Sequence, residues 1–193
     1  MYELILKNVS RFIDLTEEET DFFTLLLKPR KLRKKQFLLQ EGDVAHYQYF
    51  INKGCLRIYT INEKGQEHVI QFAIEDWWTS DMYSFLTQTP AKMNIETIED
   101  TELLSIDYPS LEILYRKVPK FERFFRLLLQ NAFIAHQRRI IESMSLTADE
   151  RYCKFIERYP AMEQRIPLKF IASYLGITPE SLSRIRSQNT KVK

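Results

Sequence analysis

Between Leu32 and Ile106 the chain alternates short runs of β-branched and aromatic residues with turn signals, a texture that predicts strands. Phe37–Leu39 leads to Glu41-Gly42-Asp43, Tyr47–Ile51 to Asn52-Lys53-Gly54, and Cys55–Ile61 to Asn62-Glu63-Lys64-Gly65. Each run ends at a glycine suited to a positive φ. His68–Ala73, Ile95–Ile98 and Leu103–Ile106 continue the series. Roughly six to eight strands within about 75 residues, with no helical period between them, predict an antiparallel β-roll or jelly roll.

After Pro109 the period changes to three-and-four spacing. A short helix is predicted at Ser110–Lys117, and Pro119, at a first-turn position, opens a long one that runs to about Ser143. Phe121, Phe124, Leu128, Ala132 and Ala135 mark its apolar stripe, widened by Phe125, Leu127, Ile134, Ile140 and Ile141. A stripe that wide serves two partners, the helix's own domain and a second chain, which makes this a dimerisation helix; the alternative is the core helix of a monomer. Thr147-Ala148-Asp149-Glu150 reads as a capping box that starts a new helix near Ala148, with Tyr152, Phe155 and Ile156 on one face and an end before Pro160. A further helix begins at Ile166-Pro167. The predicted class is α+β, with residues 1–108 a β-roll with N-terminal helices, 109–144 a linker and dimerisation helix, and 145–193 an all-helical unit.

Within that unit Ile171–Ile185 has the spacing of a helix-turn-helix. Ala172 stands where two helices cross, and Gly176, four residues on, permits the turn. Ile177, Leu182 and Ile185 pin the second helix against the first. Thr178 caps the second helix and Pro179 fills its first turn, which leaves Ser181, Ser183, Arg184 and Arg186 facing outward. The rival structure is an ordinary αα-hairpin. Local charge separates the two: from Ile166 to Lys193 the sequence carries Lys169, Arg184, Arg186, Lys191 and Lys193 against Glu180 alone, a net of +4. A basic exposed helix is the electrostatic footprint of phosphate binding. Arg184 and Arg186 are then guanine contacts or phosphate clamps, and Glu180 either accepts from a cytosine amino group or complements the helix dipole. Thr178, Ser181 and Ser183 offer short bonds to phosphate or base edges, and the few residues after this helix leave room for little or no wing.

Composition adds mostly exclusions. The 193 residues are 45% hydrophobic and 28% charged, enough to bury a core and too apolar for disorder. No stretch has the uncharged length of a membrane helix, and Met1–Ser10 lacks the pattern of a signal peptide, so a cytoplasmic protein with no membrane partner is expected. Cys55 and Cys153 are too few for a four-thiolate zinc or iron–sulfur site, and His46, His68 and His136 have no ligand spacing. Neither a metal nor a catalytic cluster is expected, and the chain does not read as an enzyme. The net charge of +2 hides an uneven distribution: Glu63–Glu112 holds 11 acidic residues against Lys64 and Lys92, a net of −9. The basic run at Lys28–Lys35 reads as a second DNA contact, an RNA polymerase contact or a solvated strand face.

Gln40-Glu41-Gly42-Asp43, Phe50–Tyr59, Lys64-Gly65-Gln66-Glu67 and the C-terminal motif together resemble the Crp/Fnr family of bacterial transcription regulators across nearly the whole chain. Leu175–Arg184 is similar to the recognition element of a Crp-like subgroup associated with Bacteroidetes. The resemblance implies a cyclic-nucleotide-binding-type roll, a dimerisation helix and a helix-turn-helix whose Glu180 and Arg184 read base edges. An Arg that often precedes that Glu is Pro179 here. Family members that bind cyclic nucleotides grip the ribose with a Gly-Glu pair and the phosphate with an Arg-Ser pair. The matching stretches here are Trp77–Met82 and Pro90–Met93, and neither pair is present. Trp78, Ser80, Asp81, Tyr83, Ala91 and Lys92 are the candidates for an effector pocket, although the aromatic ones equally suit the roll's core. No cofactor is expected, least of all a cyclic nucleotide in so acidic a segment. The function implied is a homodimeric regulator of double-stranded DNA at a near-palindromic operator, with an unknown small-molecule effector. A rival is a small-molecule-binding module whose helical tail no longer reads DNA.

Overall fold

A computed structural model describes residues 1–190. These residues divide into two compact units, one of residues 1–60 and 71–131, the other of residues 61–70 with the chain from Ala132 onward. The division falls inside the long helix and takes a hairpin tip with the C-terminal unit, so the units differ from boundaries drawn at residues 108 and 144.

In the first unit, α1 (Glu3–Ser10) and α2 (Glu17–Leu26) precede the roll. Its strands are β1 (Lys28–Leu32), β2 (Phe37–Leu39), β3 (Tyr47–Lys53), β4 (Leu56–Ile61), β5 (Glu67–Ala73), β6 (Trp78–Thr79), β7 (Asn94–Thr97) and β8 (Thr101–Asp107), of which the tip of β4 and β5, Ile61–Ile70, belongs to the second unit. They form two four-stranded sheets, ordered β1-β8-β3-β6 and β2-β7-β4-β5. The pairs β1–β8, β3–β8, β3–β6, β2–β7 and β4–β7 run antiparallel, as the turn-punctuated runs predict. A short helix, α3 (Met82–Thr87), interrupts the series where no helical period is visible. Two local devices hold it: the Asp81 carboxylate accepts the Ser84 amide at its start, and Gln88 takes a left-handed conformation at its end. Gly54, at φ +109° between β3 and β4, packs so tightly on β8 that a Cβ there would stand 2.4 Å from Thr101 Oγ1.

After α4 (Tyr108–Lys117), which Asp107 caps through the Ser110 amide, α5 (Lys120–Ser145) is the long helix that Pro119 predicts. Its first turns complete the aromatic core. Phe121 packs on Phe23 at 4.5 Å, and Phe125 on Trp78 at 5.2 Å, each between ring centroids. Phe121 and Phe124 are fully buried there, which corrects their place on a dimer face: their apolar area is already spent on the roll and its helices. A charged pair is largely buried on the sheet that holds β4 and β7. Arg57 and Glu96, cross-strand partners of β4 and β7, meet at 2.5 Å.

The second unit holds the hairpin tip, the later turns of α5, and α6 (Ala148–Arg158), α7 (Met162–Arg165), α8 (Leu168–Leu175) and α9 (Pro179–Thr190). The capping box predicted at Thr147 and Glu150 is formed, with both reciprocal bonds present. Tyr152 and Phe155 face inward from α6 with Met162, Ile166, Ile171, Ala172, Leu175, Leu182 and Ile185. The hairpin belongs to the unit through Ser173 of α8, whose hydroxyl donates to the Glu67 carbonyl at 3.0 Å and accepts the Val69 amide at 2.9 Å. No helix among the described residues is long and apolar enough to cross a membrane.

Candidate nucleic-acid interface

The helix-turn-helix is α8, a three-residue turn and α9. Gly176 ends α8 at φ +69°, and the Ile177 amide returns to the Ala172 carbonyl at 3.0 Å, which closes the turn. Ala172 is fully buried at the crossing, and Leu182 and Ile185 are buried as the pins the spacing requires. Thr178 caps α9 by accepting the Ser181 amide at 3.2 Å.

With Leu182 and Ile185 turned inward, helical geometry puts Glu180, Ser183, Arg184 and Ser187 on the opposite face. All four are exposed, as are Thr178 and Pro179 at the start of the helix and Lys169 on α8. Ser181 is half-buried; its hydroxyl touches those of Thr178 at 3.2 Å and the Arg184 guanidinium at 3.4 Å. Arg184 forms no ion pair with any described residue, so its charge is available to a ligand. Hydrogen bonds from its own main-chain amide and from Thr178 hold the Glu180 carboxyl below the usual carboxylate range. It is therefore an acceptor at neutral pH, the state in which a carboxylate takes a base amino group.

Arg186 is placed differently from its sequence-level reading. Its Nε meets Glu163 at 3.0 Å, and the same carboxylate oxygen accepts the Tyr152 hydroxyl at 2.5 Å. Arg186 thus ties α9 to α6 and α7 within the unit, because its position is two residues round from Arg184 and faces the flank of the helix. Ser187 was missed by the sequence reading, although it stands seven residues after Glu180 and three after Arg184, on the same face. Lys191 and Lys193, counted in the basic segment, lie outside the described residues, as does the stretch on which a wing would fall.

Of the six candidates for an effector pocket, four are engaged in packing or local hydrogen bonds. The Trp78 indole donates to Asn8 at 3.2 Å, and its ring packs on Phe50 and Phe125 in the core. Ser80 donates to the Tyr47 carbonyl at 2.9 Å, and Asp81, fully buried, is used as the α3 cap. Ala91 is bonded through its main chain to Gly42 and Asp43, while Tyr83 and Lys92 stand in solvent. These placements do not fit a cyclic phosphodiester, which needs a converging carboxylate and guanidinium. In the basic run, Lys28 pairs with Asp107 and Lys31 with Glu102, while Arg30 lies 4.3 Å from the centre of the Tyr47 ring. Among the described residues no group of three or more His, Cys, Asp or Glu side chains is placed to hold a metal ion.

Several known proteins are similar to this chain. Residues 29–117 match the family described as the cyclic nucleotide-binding domain. The chain is 27% identical over 192 residues to the anaerobic regulatory protein of Haemophilus influenzae, covering 92% of this chain and 73% of that one. Its fold is similar to that of FixK2 from Bradyrhizobium japonicum, with a TM-score of 0.74 at 20% identity over 86% of this chain and 85% of that one. It is similar also to the c-di-GMP responsive global regulator CLP of Xanthomonas campestris, with a TM-score of 0.73 at 16% identity over 91% of this chain and 92% of that one. A cyclic-nucleotide-binding-type roll, a long helix and a helix-turn-helix follow one another in this chain, and over most of its length it is similar to bacterial regulatory proteins.

Proposed function

We propose that the protein is a homodimeric, sequence-specific DNA-binding transcription regulator whose reading element is the outer face of α9. The observation that carries this is the unpaired Arg184 beside Glu180, Ser183 and Ser187 on an exposed helix face, with the opposite face pinned by Leu182 and Ile185. Two such helices related by a two-fold axis enter successive major grooves about 34 Å apart, so the operator is a near-palindrome. Arg184 and Glu180 are the base-reading pair, and Thr178, Pro179, Ser181 and Lys169 lie where the backbone passes.

The roll responds to a small molecule other than a cyclic nucleotide, or serves only as the dimer's scaffold. The buried commitments of Asp81 and Ser80 and the solvent position of Lys92 support this. The basic strand β1 is a solvated face whose lysines are already paired.

Fluorescence polarisation with a pool of genomic fragments, followed by sequencing of the bound fraction, tests the reading. Enrichment of fragments that share a near-palindromic motif is expected. Binding to all fragments at the non-specific level of about 10⁻⁴ to 10⁻⁶ M at physiological salt would overturn it and leave the chain a binding module that no longer reads DNA.

A further inference from the structure

The second unit contains a cavity of about 320 Å³ that the reading of DNA does not use. Three guanidinium groups line it, Arg139 from α5 and Arg151 and Arg158 from α6, with Glu142 the one carboxylate among the lining residues. Glu142 is taken by Arg158 at 2.9 Å. The other two arginines have only main-chain acceptors. Arg139 donates to the carbonyls of Ile70, Val69 and Tyr174, and Arg151 to those of Leu175 at 3.1 Å and Leu146 at 2.7 Å. Arg139 Nε and Arg151 Nη2 have no acceptor among the described residues.

Taking guanidinium groups partly out of water against carbonyl dipoles and, for Arg139, the Tyr174 ring at 4.1 Å leaves them without a counter-charge, and burial lowers the Arg139 pKa. A bound anion would restore the balance. Three forked donors around one cavity suit an anion with several terminal oxygens better than a single carboxylate, which one guanidinium saturates. Phe155 and Tyr159, ring against ring at 5.7 Å, give the cavity an aromatic side where an organic group can lie.

We propose that this cavity binds a small organic phosphate monoester, with the phosphate dianion held by Arg139, Arg151 and Arg158 and the organic part along Phe155 and Tyr159. Ser173, Tyr174 and Gly176 of the helix-turn-helix share the lining, so occupancy bears on the placement of α8. That coupling rests on the DNA-binding reading, whereas the site itself does not.

Calorimetric titration of the full chain without DNA, at constant ionic strength, tests the site with phenyl phosphate as the probe. One site per chain is expected, with benzoate, which has the same ring and a single charge, roughly tenfold weaker. Arg158→Gln is expected to weaken binding by roughly fivefold, while Glu142→Gln, which removes the opposing carboxylate, tightens it. A variant that has lost its fold cannot bind more tightly, so the pair guards against that artefact. No heat at millimolar probe, or the same affinity in all three proteins, overturns the site. If the probe binds as expected but leaves DNA affinity unchanged, the coupling to α8 is overturned and the site stands.

Discussion

Arg184 and Arg186 share a residue type and one helix, yet their surroundings give them opposite roles. Arg184 is exposed and hydrogen-bonds the Ser181 hydroxyl of its own helix, so its truncation leaves the unit's packing untouched. Arg184→Ala is expected to keep the thermal midpoint, cost about 1–3 kcal/mol in operator binding and flatten the preference at one base position. Arg186 is bonded to Glu163, which also serves Tyr152. Arg186→Ala should lower the unfolding free energy by about 1 kcal/mol, since the pair is partly exposed, and weaken every DNA sequence alike. Competition binding with operator and scrambled duplexes separates the two outcomes; a sequence-dependent loss in Arg186→Ala would reverse the assignment. The motif's spacing revealed Arg184 and Glu180, but a spacing cannot show that a carboxylate from α7 has reached Arg186 first. Gly54 is a second case in which one atom decides. Gly54→Ala puts a methyl group 2.4 Å from Thr101 Oγ1 and 2.8 Å from Thr101 Cα at a φ of +109°. It should destabilise the fold by more than about 1 kcal/mol, read as a lower urea midpoint.

Helix α5 shows what periodicity carries and what it omits. Three-and-four spacing located the helix and its wide stripe, because apolar positions on a 3.6-residue period are set by sequence alone. Which partner each part of the stripe meets is decided by the rest of the fold. Phe121, Phe124 and Phe125 are buried in the first unit, whereas Leu129, Phe133, Ile140 and Met144 stand exposed. The strands and the Thr147 capping box were legible for the same local reason, while the six-residue α3 and the four-residue α7 are too short to show a period. His136, between the exposed residues of α5, makes the element sensitive to pH. Burial lowers its pKa below 6.5, with the nearby Arg139 charge adding to the effect. The unfolded chain therefore binds a proton that the folded one resists, and stability falls as pH drops below 6.5 towards the folded value. His136→Gln should remove that part of the pH slope. Denaturant midpoints compared between about pH 7.5 and about pH 5.5 test this, and an equal drop in both proteins would place the titration elsewhere.

Over the whole molecule, charge and apolar area are distributed as the proposed two-headed DNA reader would require. The stretch Glu63–Glu112 carries a net of −9 and Ile166–Lys193 a net of +4, so under the proposed function DNA would be repelled from one region and attracted to the reading helix. A single helix with so few cations binds weakly on its own, and two must act together. The exposed side chains of α5 supply the means. Phe133, Ile140 and Met144 are 67%, 60% and 83% exposed and, at intervals of seven and four residues, lie on one side of the helix. Such a row is costly in water, and a second copy that presents the same row across a two-fold axis covers both. A double variant, Phe133→Glu with Ile140→Glu, puts four carboxylates into that seam in the dimer and should yield a monomer by sedimentation equilibrium, with the circular dichroism of the parent chain. Each variant chain would then hold one half-site, and the loss of the second, tethered contact should weaken operator binding roughly 10²-fold or more while leaving half-site binding unchanged. A dimer that persists in the variant would show that the exposed row is not the seam.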